Sequence, residues 1–299
     1  MNCTPVALFT YKRLGTLKNT ISSLQKNYLA SKSDLIIFSD GPKNKEEESE
    51  ILELREFLRT IDGFNSVLII ESKENKGLAK SIIQGVTEVL KNHNSIIVLE
   101  DDLLTTPNFL NYMNSSLNQY HEEQKVFSVS GYSFNLGLYG KLNSQSYFLN
   151  RGWSWGWATW KDRWEKVDWE INDYDDFKKN RVAKKKFAQG GSDLNKMLEK
   201  QMNGELDSWA IRWFYNQFKF DGLTLYPVRS KVSNEGFGEE ATHTSGSDRR
   251  YVPMIDSQHS TEFTFPKDIT ITPTAQQKFQ LKMGYLARIR SKLETLLLK

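Results

Sequence analysis

The segment Ser95-Ile96-Ile97-Val98-Leu99-Glu100-Asp101-Asp102 decides the interpretation of this sequence, because it joins an apolar run directly to three acidic residues. A continuous apolar run is typical of a strand that is covered on both faces of a parallel sheet. Alternate residues of an extended chain share a face, so Glu100 and Asp102 are predicted to point into one crevice and Asp101 elsewhere. An isolated acidic triplet is more often a solvated turn. Its place after such a strand favours a ligand site.

The first 130 residues alternate between strand patterns and helix patterns. Short β-rich runs occur at Pro5–Thr10, Leu35–Ser39, Ser66–Ile70, Ser95–Leu99 and Val126–Ser130. Apolar residues recur at spacings of three and four, which predicts helices, over Leu14–Asn27, Lys45–Ile61 and Leu78–Lys91. Thr106-Pro107 resembles an N-cap followed by proline and predicts a further helix over Asn108–Tyr120. This alternation predicts an α/β fold in which helices cover both faces of a parallel sheet.

Candidate site residues follow the strands, because ligands of such sheets bind beyond the carboxyl ends of the strands. Asp40 can accept hydrogen bonds from a ribose or a base, although Asp40-Gly41-Pro42 is also ordinary turn chemistry. Arg13 and Lys76 can meet a diphosphate, and each is equally consistent with a surface cation. Thr10 and Tyr11 stand at the end of the first strand pattern and belong to the same predicted site.

Composition excludes several classes of protein. The 299 residues include 40 Lys and Arg against 37 Asp and Glu, and a net charge of +3 is too small for a protein that coats nucleic acid. Mean hydropathy is −0.56, and no apolar run reaches the roughly 20 residues of a membrane span. The single cysteine, Cys3, excludes an internal disulfide framework. With no secretory signal at the start, these features predict a cytoplasmic protein.

Two common nucleotide-binding motifs are missing from the sequence. No G-x-G-x-x-G follows the first strand pattern, and no G-x-x-x-x-G-K-[ST] occurs anywhere in the chain. Both motifs place backbone N–H groups around phosphates. The sequence therefore gives little support to a dinucleotide-dependent dehydrogenase or a P-loop enzyme.

The segment Asn150–Trp160 is unusually aromatic, with four tryptophans and two glycines in eleven residues. Tryptophan rings can stack on the apolar faces of sugars, and they can equally fill a core. Both interpretations stay open for Trp153, Trp155 and Trp157, which flank Gly156.

Two further residues are candidates for chemistry. Asp207 precedes the helix pattern Ser208–Phe218, where a carboxylate can act as a general base or simply cap the helix. His243 lies in the long polar segment Ser233–Arg250 and can complete a metal shell, although a lone loop histidine more often does not.

The C-terminal segment is basic and amphipathic. Residues 278–299 include six basic residues and one acidic residue. Apolar residues recur there at helical spacing, namely Phe279, Met283, Leu286, Leu293 and Leu297, joined by Ile289 and Leu296. This pattern favours peripheral contact with an anionic membrane surface. A helix docked on the domain, or paired with another chain, is the alternative.

In combination, these segments resemble nucleotide-sugar glycosyltransferases of the GT-A fold. The nearest likeness is to the inverting N-acetylglucosaminyltransferase I group, which includes the protein-O-mannose enzymes, and to bacterial relatives from polysaccharide clusters that carry a Trp-Gly-Trp-Ala-Thr-Trp block. The resemblance is carried by Pro5–Tyr11, Phe38–Gly41, Ile97–Asp102, Pro107–Leu110, Gly156-Trp157, Asp207–Arg212 and Pro227–Ser230.

The resemblance implies roles for individual residues. Asp102 would be the direct ligand of Mn²⁺ or Mg²⁺, Glu100 and Asp101 would contact the donor sugar and the ribose, and Asp40 would contact the uridine. Gly156 and Trp157 match a Gly-Trp pair that precedes the acceptor region, and Asp207 matches the catalytic aspartate. The sequence departs from the animal enzymes at Asn234, where they have a histidine.

The sequence therefore predicts a GT-A domain, a Rossmann-like mixed and mostly parallel sheet flanked by helices, over residues 1–265. Residues 1–130 would bind the nucleotide sugar, the aromatic-rich residues 131–265 would bind the acceptor, and residues 266–299 would form a basic helical tail. The reaction that the resemblance implies is metal-dependent, inverting transfer from a UDP-sugar to a hydroxyl of a glycan or glycolipid in surface polysaccharide synthesis. A nucleotidyltransferase acting on sugar phosphates and a non-catalytic carbohydrate-binding protein remain alternatives.

Overall fold

Strands and helices follow the apolar patterns of the chain. The computed structural model describes residues 3–236 and 250–289. The strands are β1 (Val6–Thr10), β2 (Asp34–Ser39), β3 (Ser66–Glu71), β4 (Ser95–Glu100), β5 (Leu103–Thr105), β6 (Val126–Ser130), β7 (Ser146–Leu149), β8 (Trp157–Trp160), β9 (Leu223–Pro227) and β10 (Val232–Asn234). The α-helices are α1 (Leu14–Gln25), α2 (Glu48–Leu58), α3 (Leu78–Asn92), α4 (Phe109–Gln119), α5 (Lys161–Trp164), α6 (Tyr174–Lys179), α7 (Arg181–Phe187), α8 (Leu194–Met202), α9 (Trp209–Lys219) and α10 (Pro273–Met283).

Eight strands form one sheet in the order β3-β2-β1-β4-β8-β6-β9-β7, and β10 pairs with β5 in a separate ribbon. The first four strands of that order are parallel, β8 runs against both of its neighbours, β9 is parallel to β6, and β7 is antiparallel to β9. Six of the eight strands therefore point the same way. This arrangement confirms the prediction of a mixed, mostly parallel sheet flanked by helices.

The two faces of the sheet carry separate cores because successive strand residues point to opposite sides. Val6, Leu8 and Leu99 lie on the face that packs against α1, α2 and α4. Ala7, Phe9 and Val98 lie on the other face, with residues of α3 and α9. Since all six of these strand residues are at most 3% exposed, the central strands are covered on both sides, as their continuous apolar sequence predicts.

The helix predicted over Lys45–Ile61 is shorter in the structure. A 3₁₀ turn, Lys45–Glu47, comes first, and α2 occupies Glu48–Leu58. The Asn44 side chain accepts a hydrogen bond from the backbone N–H of Glu47 at 3.2 Å, so it caps this start. The apolar stripe was predicted correctly because Ile51, Leu54 and Leu58 are all buried.

The C-terminal segment is docked on the domain over the part that the structure describes. In α10, Ala275, Phe279 and Met283 are at most 1% exposed, and Phe279 lies 5.2 Å from Phe134 between ring centroids. The prediction that Phe279 and Met283 belong to a membrane-facing stripe is therefore wrong. Packing in the domain core removes more of the apolar surface of these side chains from water than a helix lying free of the domain would. Residues 290–299 of the predicted tail lie outside the described residues.

A buried ion-pair network fixes this docking. Arg151 is 4% exposed and donates to both Asp193 oxygens at 2.9 and 3.0 Å, and Arg288, beyond α10, lies 2.8 Å from the same carboxylate. Burial alone would raise the pKa of Asp193, but the two arginines outweigh it and lower this pKa to about 2. Asp193 therefore joins the core of the second half of the chain to the C-terminal segment.

We predict that Asp193→Asn lowers the free energy of unfolding by about 3–5 kcal/mol, because Arg151 is left as a buried, unpaired charge. The folded-state pKa of Asp193 lies below the unfolded value of about 4. The contribution of the carboxylate is therefore complete above about pH 4 and is lost as the pH falls towards 2. Denaturant unfolding of both proteins at several pH values should show the gap closing in this window. A gap that is independent of pH would contradict the ion-pair explanation.

None of the helices in the described part of the chain combines the length and the apolarity that a bilayer span requires.

Candidate active site

The carboxyl ends of β1, β2 and β4 meet at one edge of the sheet. In register, Thr10 pairs with Ser39 and Phe9 pairs with Glu100. The residues that follow these strands, including Arg13, Asp40 and the acidic triplet, are therefore brought together although they are up to about 90 positions apart. This edge is where the sequence placed the ligand site.

Asp101 supports the loop after β1. Asp101 is 3% exposed. One of its carboxylate oxygens accepts hydrogen bonds from the Thr10 hydroxyl at 2.9 Å and from the Tyr11 backbone N–H at 3.2 Å. The other oxygen is paired with Arg13. The resemblance implied a contact between Asp101 and the ribose, but a carboxylate that is buried and engaged in this way holds the loop from beneath. Thr10 is also buried, at 6% exposure.

Glu100 and Asp102 have too little positive charge around them. Three carboxylates of the triplet share one guanidinium, that of Arg13, which lies 3.0 Å from Asp102 as well as against Asp101. Burial and repulsion from Asp102 and Asp101 raise the pKa of Glu100 to about 8. Burial also raises the pKa of Asp102, although Arg13 opposes the change. A bound cation would relieve this excess of negative charge.

The donor chemistry at this corner suits a hard divalent cation. Mn²⁺ and Mg²⁺ prefer carboxylate oxygens and keep positions for water and phosphate, and the side chain of Asp102 is 12% exposed. Within residues 3–236 and 250–289, no three His, Cys, Asp or Glu side chains converge into a complete metal site. Glu100 and Asp102 fit such a metal as oxygen donors, and the oxygens of a diphosphate would supply further ligands.

Asp40 links the end of β2 to the start of α3. Its two oxygens accept hydrogen bonds from the backbone N–H groups of Gly41, Lys76 and Gly77 at 2.9–3.1 Å. The residue is 8% exposed. The resemblance implied contact with uridine, but in this structure backbone donors use both carboxylate oxygens. Asp40 thereby shapes the loop that carries the exposed side chain of Lys76.

Tyr11 reaches across to the loop after β2. Its hydroxyl is hydrogen-bonded to Glu47, and the Glu47 carboxylate also accepts from the backbone of Lys43 at 2.9 Å. Burial and the hydrogen bond to Glu47 raise the pKa of Tyr11, so its hydroxyl stays protonated as a donor. The aromatic ring of Tyr11 is thus held between the ends of β1 and β2.

The segment after β10 lies against the acidic triplet, which sequence reasoning did not predict. In the β10–β5 ribbon, Asn234 pairs with Leu103, and the backbone N–H of Glu235 donates to the Asp102 carbonyl at 2.9 Å. A Cβ at position 236 would come within 2.2 Å of an Asp102 carboxylate oxygen, so Gly236 allows this close approach without displacing that side chain. A three-residue strand gives no usable signal in the sequence.

Asp207 lies at the same edge of the sheet. Helix α9 leads directly into β9, which is parallel to β6, so α9 begins at the edge where the parallel strands end. The ring centroids of Trp209 and Trp157 are 4.9 Å apart, and Trp157 pairs with Val98 of β4. The Asp207 side chain is 71% exposed and pairs with Arg212 at 3.1 Å. Ser208, not Asp207, caps α9 through its hydroxyl.

The aromatic block divides between core and edge. Trp157 is 1% exposed and packs against Trp164, Trp209 and Trp213, so it has no free face for a sugar. Trp153 is 8% exposed and stacks on Tyr132. The prediction that these two rings contact an acceptor is not supported, because the core covers them.

Only Trp155 of the three tryptophans around Gly156 is partly exposed, and it contacts Tyr132 and Tyr251. Gly156 has a φ of 60°, and its carbonyl accepts from the Gly131 N–H at 2.6 Å. A side chain at position 156 would press on Val232. Gly156 therefore joins the ends of β6 and β8, and Trp155 remains the candidate acceptor residue of this block.

We predict that Trp157→Ala lowers the free energy of unfolding by about 3–5 kcal/mol, because it leaves a large cavity in a packed core. Trp155→Ala should cost clearly less, because its ring is already partly exposed. Urea unfolding followed by circular dichroism compares the two variants directly. Equal losses would contradict the division of this block into core and edge.

His243, predicted as a metal ligand, lies outside the described residues, so its role stays a prediction.

The comparison with known protein families agrees with this fold. Residues 6–182, more than half of the chain, match the model of glycosyl transferase family 2. The chain belongs to this family. Family membership confirms the prediction of a glycosyltransferase with the GT-A arrangement, and it does not favour the nucleotidyltransferase or the non-catalytic carbohydrate-binding protein.

Solved structures of glycosyltransferases are also similar, at low identity. The mannosyltransferase PcManGT from Pyrobaculum calidifontis, in complex with GDP-Man and Mn²⁺, is 11% identical with a TM-score of 0.32, over 44% of this chain and 35% of that one. TarS from S. aureus is 14% identical with a TM-score of 0.29, over 40% of this chain and 20% of that one. This chain thus spans about a third and a fifth of their lengths. No curated protein matches significantly.

Proposed function

We propose that this protein is a metal-dependent, inverting glycosyltransferase that moves a sugar from a UDP-sugar to a hydroxyl of a glycan or glycolipid acceptor in surface polysaccharide synthesis. The observation that carries the proposal is the partly exposed pair Glu100 and Asp102 at the end of a central strand, short of positive charge, in a member of glycosyl transferase family 2. The likeness to the N-acetylglucosaminyltransferase I group supports a UDP-linked donor and inversion.

Asp102 would hold Mn²⁺ or Mg²⁺, with Glu100 beside it. When bound, the metal neutralises charge on the departing diphosphate as a Lewis acid and a template. Arg13 is placed to turn from the carboxylates to the diphosphate, since its guanidinium already lies at the same corner. Lys76 would meet the diphosphate from the start of α3, and Tyr11 would lie against the nucleoside.

Asp207 would act as the general base. The acceptor oxygen forms a bond to the anomeric carbon while the bond from that carbon to the diphosphate oxygen breaks, and the nucleoside diphosphate leaves with the electron pair. Asp207 takes the proton of the acceptor hydroxyl during the attack. Arg212 at 3.1 Å keeps this exposed carboxylate oriented. Trp155 would stack on the acceptor sugar.

Calorimetric titration with UDP and with GDP, each with and without Mn²⁺, tests the donor and the metal together. We expect UDP to bind more tightly than GDP, and Mn²⁺ to strengthen UDP binding. A panel of UDP-sugars, followed by nucleotide release and then by NMR of the product, identifies the sugar and the anomeric outcome. Preference for GDP would contradict the UDP-linked donor, and nucleotide binding that is unchanged by Mn²⁺ would contradict the metal dependence. A product that keeps the donor's anomeric configuration would contradict inversion.

The cytoplasmic location and the contact of residues 278–299 with an anionic membrane also remain proposals. Of the apolar stripe that the sequence pattern favoured, Phe279 and Met283 are buried and Leu286 is exposed.

A further inference from the structure

The most exposed apolar side chains lie on two neighbouring helical segments. Among the large hydrophobic residues that the structure describes, four stand above 70% exposure: Val182 at 79%, Leu281 at 80%, Tyr285 at 72% and Leu286 at 81%. The next, Leu52, is 60% exposed. Val182 belongs to α7, and the other three belong to α10 and the residues that follow it. Clustered exposure of this kind marks an interaction surface.

The two segments meet across a surface cavity. Lys185 of α7 lines one side of the cavity, and Gln280 and Gly284 line the other. The Gln276 side chain donates to the Gln189 carbonyl at 2.7 Å, which fixes α10 beside the end of α7. Val182 is three positions from Lys185, one helical turn away. Leu281 and Tyr285 are next to Gln280 and Gly284 in the chain, outside the cavity, and their side chains are exposed to solvent. We call the surface formed by helices α6 and α7 together with Val182, Leu281, Tyr285 and Leu286 the α7–α10 surface.

This surface is strongly basic. Helices α6 and α7 carry Lys178, Lys179, Arg181, Lys184 and Lys185, and within the described part of the chain none of these five cations has an ion pair. The acidic residues of α6 are in its first turn, at the end away from α7. From residue 269 to residue 289 the chain has no Asp or Glu. Unpaired cations around exposed leucine, valine and tyrosine side chains complement a layer of anionic headgroups over acyl chains.

We propose that the α7–α10 surface docks the protein on an anionic membrane, with Leu281, Tyr285 and Leu286 inserted at the interface and the cations of α6 and α7 against the headgroups. The docked helix α10 is a rigid support, because its opposite face is buried in the domain core. This inference does not depend on the proposed reaction.

Flotation of the full-length protein with phosphatidylcholine vesicles, with and without phosphatidylglycerol, tests the proposal. We expect the protein to float with the phosphatidylglycerol vesicles only, and to be released as salt is raised. Leu281→Ser combined with Leu286→Ser should lower the partition coefficient about tenfold. Lys178→Gln, Lys179→Gln and Lys185→Gln together should lower it at least about tenfold.

Matched controls replace exposed residues elsewhere on the chain. Leu52→Ser with Leu68→Ser, and Lys26→Gln with Lys32→Gln, should float like the wild type. All variants change exposed side chains, so circular dichroism and melting should match the wild type. Flotation of the two α7–α10 variants at the wild-type level would overturn the proposal. Retention on heparin-agarose without flotation on any vesicle would also overturn it, in favour of a polyanionic partner.

Discussion

Asp102→Asn is expected to reduce glycosyl transfer by about a thousandfold or more, because a metal that stabilises the leaving diphosphate contributes several kcal/mol to the transition state. Asn keeps the shape of Asp102 but removes the charge that a divalent cation needs. Titration with UDP should still detect metal-independent binding, since Arg13 and the loop after β1 remain. The increment of affinity that Mn²⁺ adds should disappear.

Asp162→Asn is the matched control for this variant. Asp162 also pairs with an arginine, Arg163 at 2.7 Å, but it lies just after β8, away from the carboxyl ends of the parallel strands. We expect it to keep full transfer and full dependence on Mn²⁺. If Asp102→Asn retained the Mn²⁺ increment while remaining folded, the metal would have to be held elsewhere.

Asp207→Asn is expected to lower turnover by about 10²–10⁴-fold, the usual contribution of a positioned general base. Donor binding should be unchanged, because Asp207 lies at the start of α9 and makes its ion pair with Arg212, not with the acidic triplet. Stability should also be nearly unchanged, since Ser208 caps the helix and Asp207 is largely exposed. Single-turnover transfer and UDP titration in the presence of Mn²⁺ separate the two effects.

Glu205→Gln provides the control for a local change of charge. Glu205 is exposed, lies two residues before Asp207 and is hydrogen-bonded to Asn203 at 3.2 Å. It should keep wild-type turnover. Wild-type turnover in Asp207→Asn would exclude this carboxylate as the base.

Much of the fold of residues 1–130 was predictable because its signals are local. A strand that is buried on both faces is mostly apolar, as in Ile96–Leu99, and the acidic residues follow where this strand ends. The edge of the sheet at which Asp40 and Glu100 meet then follows from parallel pairing. The role of each carboxylate did not follow. The carboxylate of Asp101 is fully engaged by hydrogen bonds from Thr10 and Tyr11 and by the ion pair with Arg13. These contacts depend on how the loop after β1 folds back.

The aromatic-rich residues 131–265 and the C-terminal segment show what sequence patterns alone cannot predict. A tryptophan uses the same apolar ring surface to stack on a sugar or to fill a core. Only the burial seen in the structure distinguishes the core residue Trp157 from the partly exposed Trp155. The apolar stripe of α10 was visible in the sequence, but its partner was not. Phe279 and Met283 face the domain, and Leu281 and Leu286 remain exposed.

The sequence by itself determined the main strands and helices of residues 1–130, the apolar central strands and the acidic end of β4, because these depend on periodicity and on the neighbours of each residue along the chain. The tertiary structure alone decided which carboxylates are free for a ligand, which rings are covered and which face of the C-terminal helix meets solvent. Those outcomes depend on contacts between residues far apart in the chain, and the free energy of burying a side chain is set by what packs over it, not by its own identity.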